Sequence, residues 1–436
     1  MAVHSVYRHS ISCVYKRKRI VVLKYLVDSS IQLVVMMILV GMILGFVKNV
    51  FGEKTGNLMK ISVLTGFVCA VLMAVMKTAT NKIDTGSWNL GIYYCSFGAF
   101  VLFVLSLLIF RRKQNIQRLL SCIFLGIVTV AQMVYALADY FVYPHTIMLT
   151  EDSLLSTNFL TKMSGALAGL VITLVIGFAA NAVARFLKKP AALFFLCLVL
   201  AVTSFKQLST SVSTLLTRRI IPSNHTLFQI AKFSSNHSHF FIYVTLGVLF
   251  AASVFLIVRS FHVKEPYSNP AQHRKIIFRY RKIRRWCITA IVGVVVMTAL
   301  MTVIYQVAYQ KVELSPIEEC TVENDALVIP FEMVDDGHLH RFGYETESGT
   351  VIRVIVIKKP NSSSYGIGLD ACDICGETGY YEKDGQVVCN LCDVVMNINT
   401  IGFKGGCNPI VIDYRIDNGK IVIPTEGLLE YESEFK

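Results

Sequence analysis

This sequence lacks a glycine-rich phosphate loop, a nucleophile triad and a metalloprotease motif, so nucleotide cradling and the common hydrolytic chemistries have no residues to carry them. Heptads, long repeats and low-complexity linkers are missing too, which excludes coiled-coil and solenoid architectures. Charge is scarce: 16% of the 436 residues are charged against 54% that are apolar, and mean hydropathy is +0.56. That balance lies far outside the range of soluble enzymes and places the chain in a lipid bilayer.

Eight stretches approach or exceed the roughly 20 apolar residues that cross about 30 Å of hydrocarbon. They lie near Ser29–Val47, Ile61–Met76, Trp88–Phe110, Leu119–Val142, Met163–Phe186, Pro190–Leu216, Phe240–Ser260 and Trp286–Tyr309. The second is short and the sixth turns polar at Lys206 and Gln207, so either is open to tilting or breaking, and seven or nine spans stay open as counts. The expected fold is an α-helical multi-pass membrane bundle of about eight transmembrane helices at 29–310, after a basic segment at 1–28.

Short loops rich in Lys and Arg stay on the cytoplasmic side. The loops after the third, fifth and seventh spans are basic, the last running from Arg274 to Arg285 with seven positive residues. They belong inside, which puts both ends of an eight-span chain outside. Lys16, Arg17, Lys18 and Arg19 pull the N-terminus the other way; three basic loops outweigh one basic terminus. The net charge of +13 is thereby explained by topology, and no nucleic-acid partner is needed.

The spans hold no interior histidine, which excludes a bis-histidine haem relay, and no Arg-Glu-x-x-Glu motif of the iron-permease type. Asp139 reads as the only acid near a span, while Lys77, Arg185 and Lys206 read as interfacial anchors.

Residues 311–436 read as a separate, mostly β, cysteine-ligated metal-binding domain. Strands are expected at Ala326–Ile329, His340–Tyr344, Val351–Lys358, Tyr365–Leu369, Ile410–Tyr414 and Lys420–Pro424, with Gly337, Gly349, Gly385 and Asn418-Gly419 as turns. Cys372-Asp-Ile-Cys375-Gly and Cys389-Asn-Leu-Cys392 lie about 13 residues apart, and Cys407 follows in a Gly-Gly-Cys-Asn-Pro turn. Each tight C-x-x-C turn points two sulfurs one way, so the two pairs suit one tetrahedral centre.

Thiolates take both zinc and iron, and the spacing leaves the two open. A closed zinc site needs four ligands and leaves Cys407 over, as a cluster ligand, a partner of His338 or His340 in a second site, or a spare buried thiol. Disulfide exchange by a C-x-x-C pair is a third reading, weakened because two pairs lie among short strands. His145, His225, His237 and His239 fall in loops on the outer face, where an arriving metal ion would meet imidazole.

The run Asp336-Gly-His-Leu-His-Arg-Phe342, the segments Leu369 to Tyr381 and Val388-Cys-Asn-Leu-Cys392 that carry the cysteine framework, and Asn397-Ile-Asn-Thr-Ile-Gly-Phe-Lys-Gly-Gly-Cys-Asn-Pro409 resemble the FtrD-like membrane iron–sulfur family. The likeness is close over the final quarter only. It implies a component of a bacterial cell-membrane iron-uptake system that moves electrons beside an iron permease and an extracytoplasmic iron-binding protein. It also implies Cys372, Cys375, Cys389, Cys392 and Cys407 as ligands of an iron–sulfur cluster or mononuclear iron. The alternative from the residues alone is a structural zinc ribbon that docks a transport complex.

Overall fold

The computed structural model describes residues 2–80, 84–148, 156–218, 220–222, 225–262, 265–309, 314–323, 325–360, 362–372, 376–383, 385–391, 394–403 and 408–435, with backbone alone for 2–20, 158, 217, 225, 226, 228, 235 and 236. The chain divides into two compact units, Met1–Tyr309 and Gln310–Lys436.

The first unit is helical: α1 (Ala2–Phe51), α2 (Glu53–Ala79), α3 (Thr85–Ile109), α4 (Gln114–Met148), α5 (Thr157–Phe186), α6 (Lys189–Thr217), a short α7 (His225–Asn236), α8 (Ser238–His262) and α9 (Pro270–Ala299). A π turn at Leu300–Ile304 carries α9 into α10 (Tyr305–Ala308). Among the described residues, eight helices are long and apolar enough to cross a membrane, the last running Pro270–Ala308. The protein is a multi-pass membrane protein with a C-terminal β region.

Two expectations shift in detail. The short second stretch is part of a full 27-residue helix, because Glu53, Lys54, Leu58, Met59, Lys60 and Lys77 beside it are good helix formers that carry it beyond the apolar run. The basic run Arg274 to Arg285 is not a loop but the first half of α9. Asn269 caps that helix by accepting from the Gln272 N–H at 2.8 Å, and Pro270 sits at its first position, where a missing N–H costs nothing. The sixth stretch is unbroken through Lys206 and Gln207.

α1 is the central helix: 72% of its apolar window is enclosed, against 28% for α2. Its main partner is α5, and small residues set the approach. A Cβ on Gly45 would collide with the Asn181 carbonyl, one on Gly41 with the Gly177 carbonyl, and one on Gly165 with the Val22 carbonyl. Gly41 and Gly45, like Gly165 and Gly169, are four apart, the spacing that lets membrane helices touch backbone to backbone. Gly45→Leu should therefore force α1 and α5 apart. We expect at least the 1–3 kcal/mol typical of overpacking, read as a lower unfolding temperature of the detergent-solubilised chain; an unchanged midpoint would refute the close crossing.

The second unit holds three antiparallel sheets. The first orders β1 (Thr321–Glu323), β2 (Ala326–Pro330), β10 (Lys420–Pro424) and β9 (Arg415–Asp417). The second is β3 (His340–Glu345), β4 (Val351–Lys358) and β5 (Tyr365–Leu369); the third is β6 (Tyr380–Lys383), β7 (Gln386–Cys389) and β8 (Val395–Met396). Asn418 and Gly419, at φ 44° and 76°, form the two-residue turn joining β9 to β10, where positive φ is required at both positions. A short α11 (Thr425–Leu429) follows β10.

β4 organises this unit because successive side chains leave a strand on opposite faces. Ile352, Val354 and Val356 join the main core with Leu327, Phe342 and Ile421. Ile355 and Ile357 face a second cluster that contains cysteines. The expected strand Ile410–Tyr414 is not a strand: among the described residues, its backbone meets β5 and its continuation through Leu369 N–H to Ile410 O and Ile410 N–H to Ala371 O. Pro409 beside it has no N–H to extend the ladder.

Candidate metal centre

Two cysteines end up in one apolar pocket, brought there by different local devices. Cys372 follows β5 and starts a turn closed by a bridge to Gly376, with Gly376 N–H to Cys372 O at 2.9 Å and Cys372 N–H to Gly376 O at 3.2 Å. Gly376 has φ 65°, a left-handed conformation that costs glycine little. Cys389 ends β7 opposite Tyr380 of β6, and its N–H closes the second turn on Val394 O at 3.0 Å. Both are sealed from solvent, at 2% and 1% exposure, in a cluster with Leu339, Ile355, Tyr380, Val387 and Ile401.

Tyr380 lies between the two turns. Burial, then a hydrogen bond to Cys372 and the nearby Cys389, push its hydroxyl far above the ordinary phenol range, so it stays neutral beside sulfur. Of the five expected cysteine ligands, the structure brings Cys372 and Cys389 together; Cys375, Cys392 and Cys407 lie outside the described residues. Among the described residues, no group of three His, Cys, Asp or Glu side chains is arranged to hold a metal ion.

His338 and His340 flank Leu339, whose side chain enters the cysteine cluster. His338 is 68% exposed and bonds Glu382 of β6 through Nδ1 at 2.9 Å. His340 is 12% exposed, with Nδ1 on Glu318 at 2.9 Å and Nε2 on Asp336 at 2.8 Å. The two rings are thus held by carboxylates. Burial alone would lower the His340 pKa, but Asp336 and Glu318 outweigh it and raise it above the ordinary value; Glu382 raises that of His338.

A histidine with a raised folded pKa contributes stability in full below its unfolded value, about 6.5, and loses it as pH rises through the folded value. The C-terminal unit should accordingly lose stability as pH climbs above about 6.5. His340→Gln should flatten that dependence in a pH series of unfolding midpoints; an identical slope in the variant would refute the contribution.

An ion-pair hub that motif reading missed anchors the site. Arg341 of β3 and Asp370, two residues before Cys372, are 1% and 0% exposed and meet at 2.8 Å. Arg341 also donates to the Ser315 carbonyl at 2.6 Å and to the Tyr380 carbonyl. Asp370 accepts from the Tyr380 N–H at 2.8 Å and from Arg353 at 3.1 Å. Gly379 must be glycine, because at φ 77° a Cβ would press on the Asp370 carboxylate. The only advance signal was an arginine inside a strand pattern and an aspartate beside the first cysteine.

The histidines expected in outer loops lie partly in helices, His145 in α4 and His239 in α8, and among the described residues they form no shared metal-binding group. His237 stacks on Phe233 at 4.7 Å, and His239 sits edge-on to Tyr305 at 5.4 Å; the His225 side chain lies outside the described residues. Residues 334–435 match the family described as FtrD-like, membrane iron-sulfur containing protein. No curated protein and no solved structure matches the chain.

Proposed function

We propose that the C-terminal unit holds an iron–sulfur cluster or mononuclear iron through Cys372, Cys375, Cys389 and Cys392, with Cys407 as a fifth or exchanging ligand, and serves iron uptake. The burial of Cys372 and Cys389 in one cluster carries this reading. Two turn-borne sulfurs from separate hairpins, in an apolar setting with a neutral phenol beside them, fit a soft-ligand metal centre. Iron held there would supply one-electron chemistry.

The chain's own residues prepare the place. Ile355, Val387 and Ile401 exclude water, the Tyr380 hydroxyl bonds a ligand sulfur and tunes its electron density, and the Arg341–Asp370 pair fixes the strand carrying Tyr380. His338 and His340 belong, on this reading, to the rim of the site, where their carboxylate partners hold them. The basic residues after the third and fifth spans and at the start of α9 support an extracytoplasmic side for the unit, where an iron permease and an iron-binding protein would be its partners.

A structural zinc ribbon is the second reading, favoured by the small sheet β6–β7–β8 that ties the two turns together. Metal and acid-labile sulfide analysis of the full chain, purified in detergent without oxygen, decides between them. Iron with visible bands that bleach on reduction is expected. Colourless protein with one zinc would overturn the redox function.

A further inference from the structure

The helical unit encloses a cavity of about 140 Å³ between α1, α3, α4, α6 and α8. A void of that order admits a six-membered ring. Its walls are of two kinds. Ile31, Val35, Met36 and Ile242 supply flat apolar surface, while Gln32, Gln132, Gln207, Lys206, Asp139 and Tyr135 present polar groups.

Most of those polar groups are already tied. Gln132 and Gln207 exchange amide hydrogen bonds at 3.1 and 3.0 Å, and Gln132 donates to Ser96 at 2.8 Å. Gln32 donates to the Ala136 carbonyl. Asp139 is paired with Lys77 at 2.5 Å, and Tyr135 packs on Tyr93 with ring centroids 5.3 Å apart. Lys206 differs: it lines the cavity, and among the described residues its side chain makes no ion pair or hydrogen bond, although its carbonyl accepts from Thr210. An ammonium left so deep between spans is costly and marks a ligand or ion pathway.

The charge pattern narrows the ligand. Lys206 lines the cavity and Lys77 already neutralises the one carboxylate there, Asp139, a balance that disfavours a metal cation. The cavity suits a flat, neutral, lipid-soluble molecule with hydrogen-bond acceptors on a ring. We propose that it binds the headgroup of a membrane quinone, with Lys206 donating to a ring carbonyl and the apolar residues covering the ring faces. The binding stands on the cavity alone; its meaning, entry of reducing equivalents from the bilayer, rests on the redox function proposed above.

The test uses the full chain in lipid nanodiscs and a short-chain alkyl benzoquinone, with retained quinone measured at equilibrium. Saturable binding near one per chain is expected, weakened about tenfold or more in Lys206→Met, which removes a charged donor. Val35→Phe, which fills the cavity without touching a charge, should weaken it too and guards against misfolding of the first variant. No saturable binding by the unaltered chain, or unchanged affinity in both variants, would overturn the proposal, as would displacement of the quinone by inorganic phosphate. Cys389→Ser separates the two ideas: it should lose metal and keep quinone, and zinc in the unaltered chain would leave the binding result standing.

Discussion

Asp370→Ala should destabilise the C-terminal unit by about 3–5 kcal/mol, the cost of leaving one half of a buried pair behind. Arg341 is 1% exposed, and its guanidinium would be stranded in a protein interior with only backbone and Ser315 oxygens to meet it. The Tyr380 N–H and Arg353 would lose the same acceptor. Amide hydrogen exchange in β3, β4 and β5 reads this without interference from the helices. Arg341→Met together with Asp370→Leu should be milder than Asp370→Ala, because replacing both charges leaves neither unpaired. A cost below about 1 kcal/mol for the single change would refute the hub.

Cys389→Ser should strip the metal. Substituting partners outside the ligand sphere costs roughly 10–100-fold in affinity, and losing a thiolate from a four-ligand site should exceed that. Metal per chain after desalting is the measurement. Retention at the level of the unaltered chain would remove Cys389 from the ligand set. Loss of metal should also lower the stability of the β6–β7–β8 sheet, since its two ends would no longer be joined through the centre.

The legible parts of the chain were those governed by a repeating pattern. The eight apolar stretches predicted eight helices because hydrocarbon thickness sets span length almost independently of sequence detail. Alternation predicted β3, β4, β5 and β10. β6, β7 and β8 were missed because each is four residues or fewer, too short for a period of two to show. At the candidate site, the cysteines announced themselves by spacing, whereas Arg341, Asp370 and Tyr380 did not. Their roles depend on partners far away in sequence, which no local pattern encodes.

Acids and bases within spans were legible as residues but not as functions. Asp139 was the only acid expected near a span, yet Asp28 also lies within the helical unit and accepts from Tyr309. Lys77 is bound to Asp139, Arg185 to Glu53, and Lys206 lines a cavity. Snorkelling and pairing look alike in sequence, because both place a long cation near a helix end.

The glycine seam between α1 and α5 also bears on how the protein is made. At about 5–20 residues per second, the ribosome delivers the Gly165 end of that seam on the order of ten seconds after the Gly45 end. Gly169, which lies against Ser29 and Ser30, and Tyr309, which bonds Asp28, are made only after that interval. In synthesis, α1 therefore precedes the neighbours that cover its polar residues.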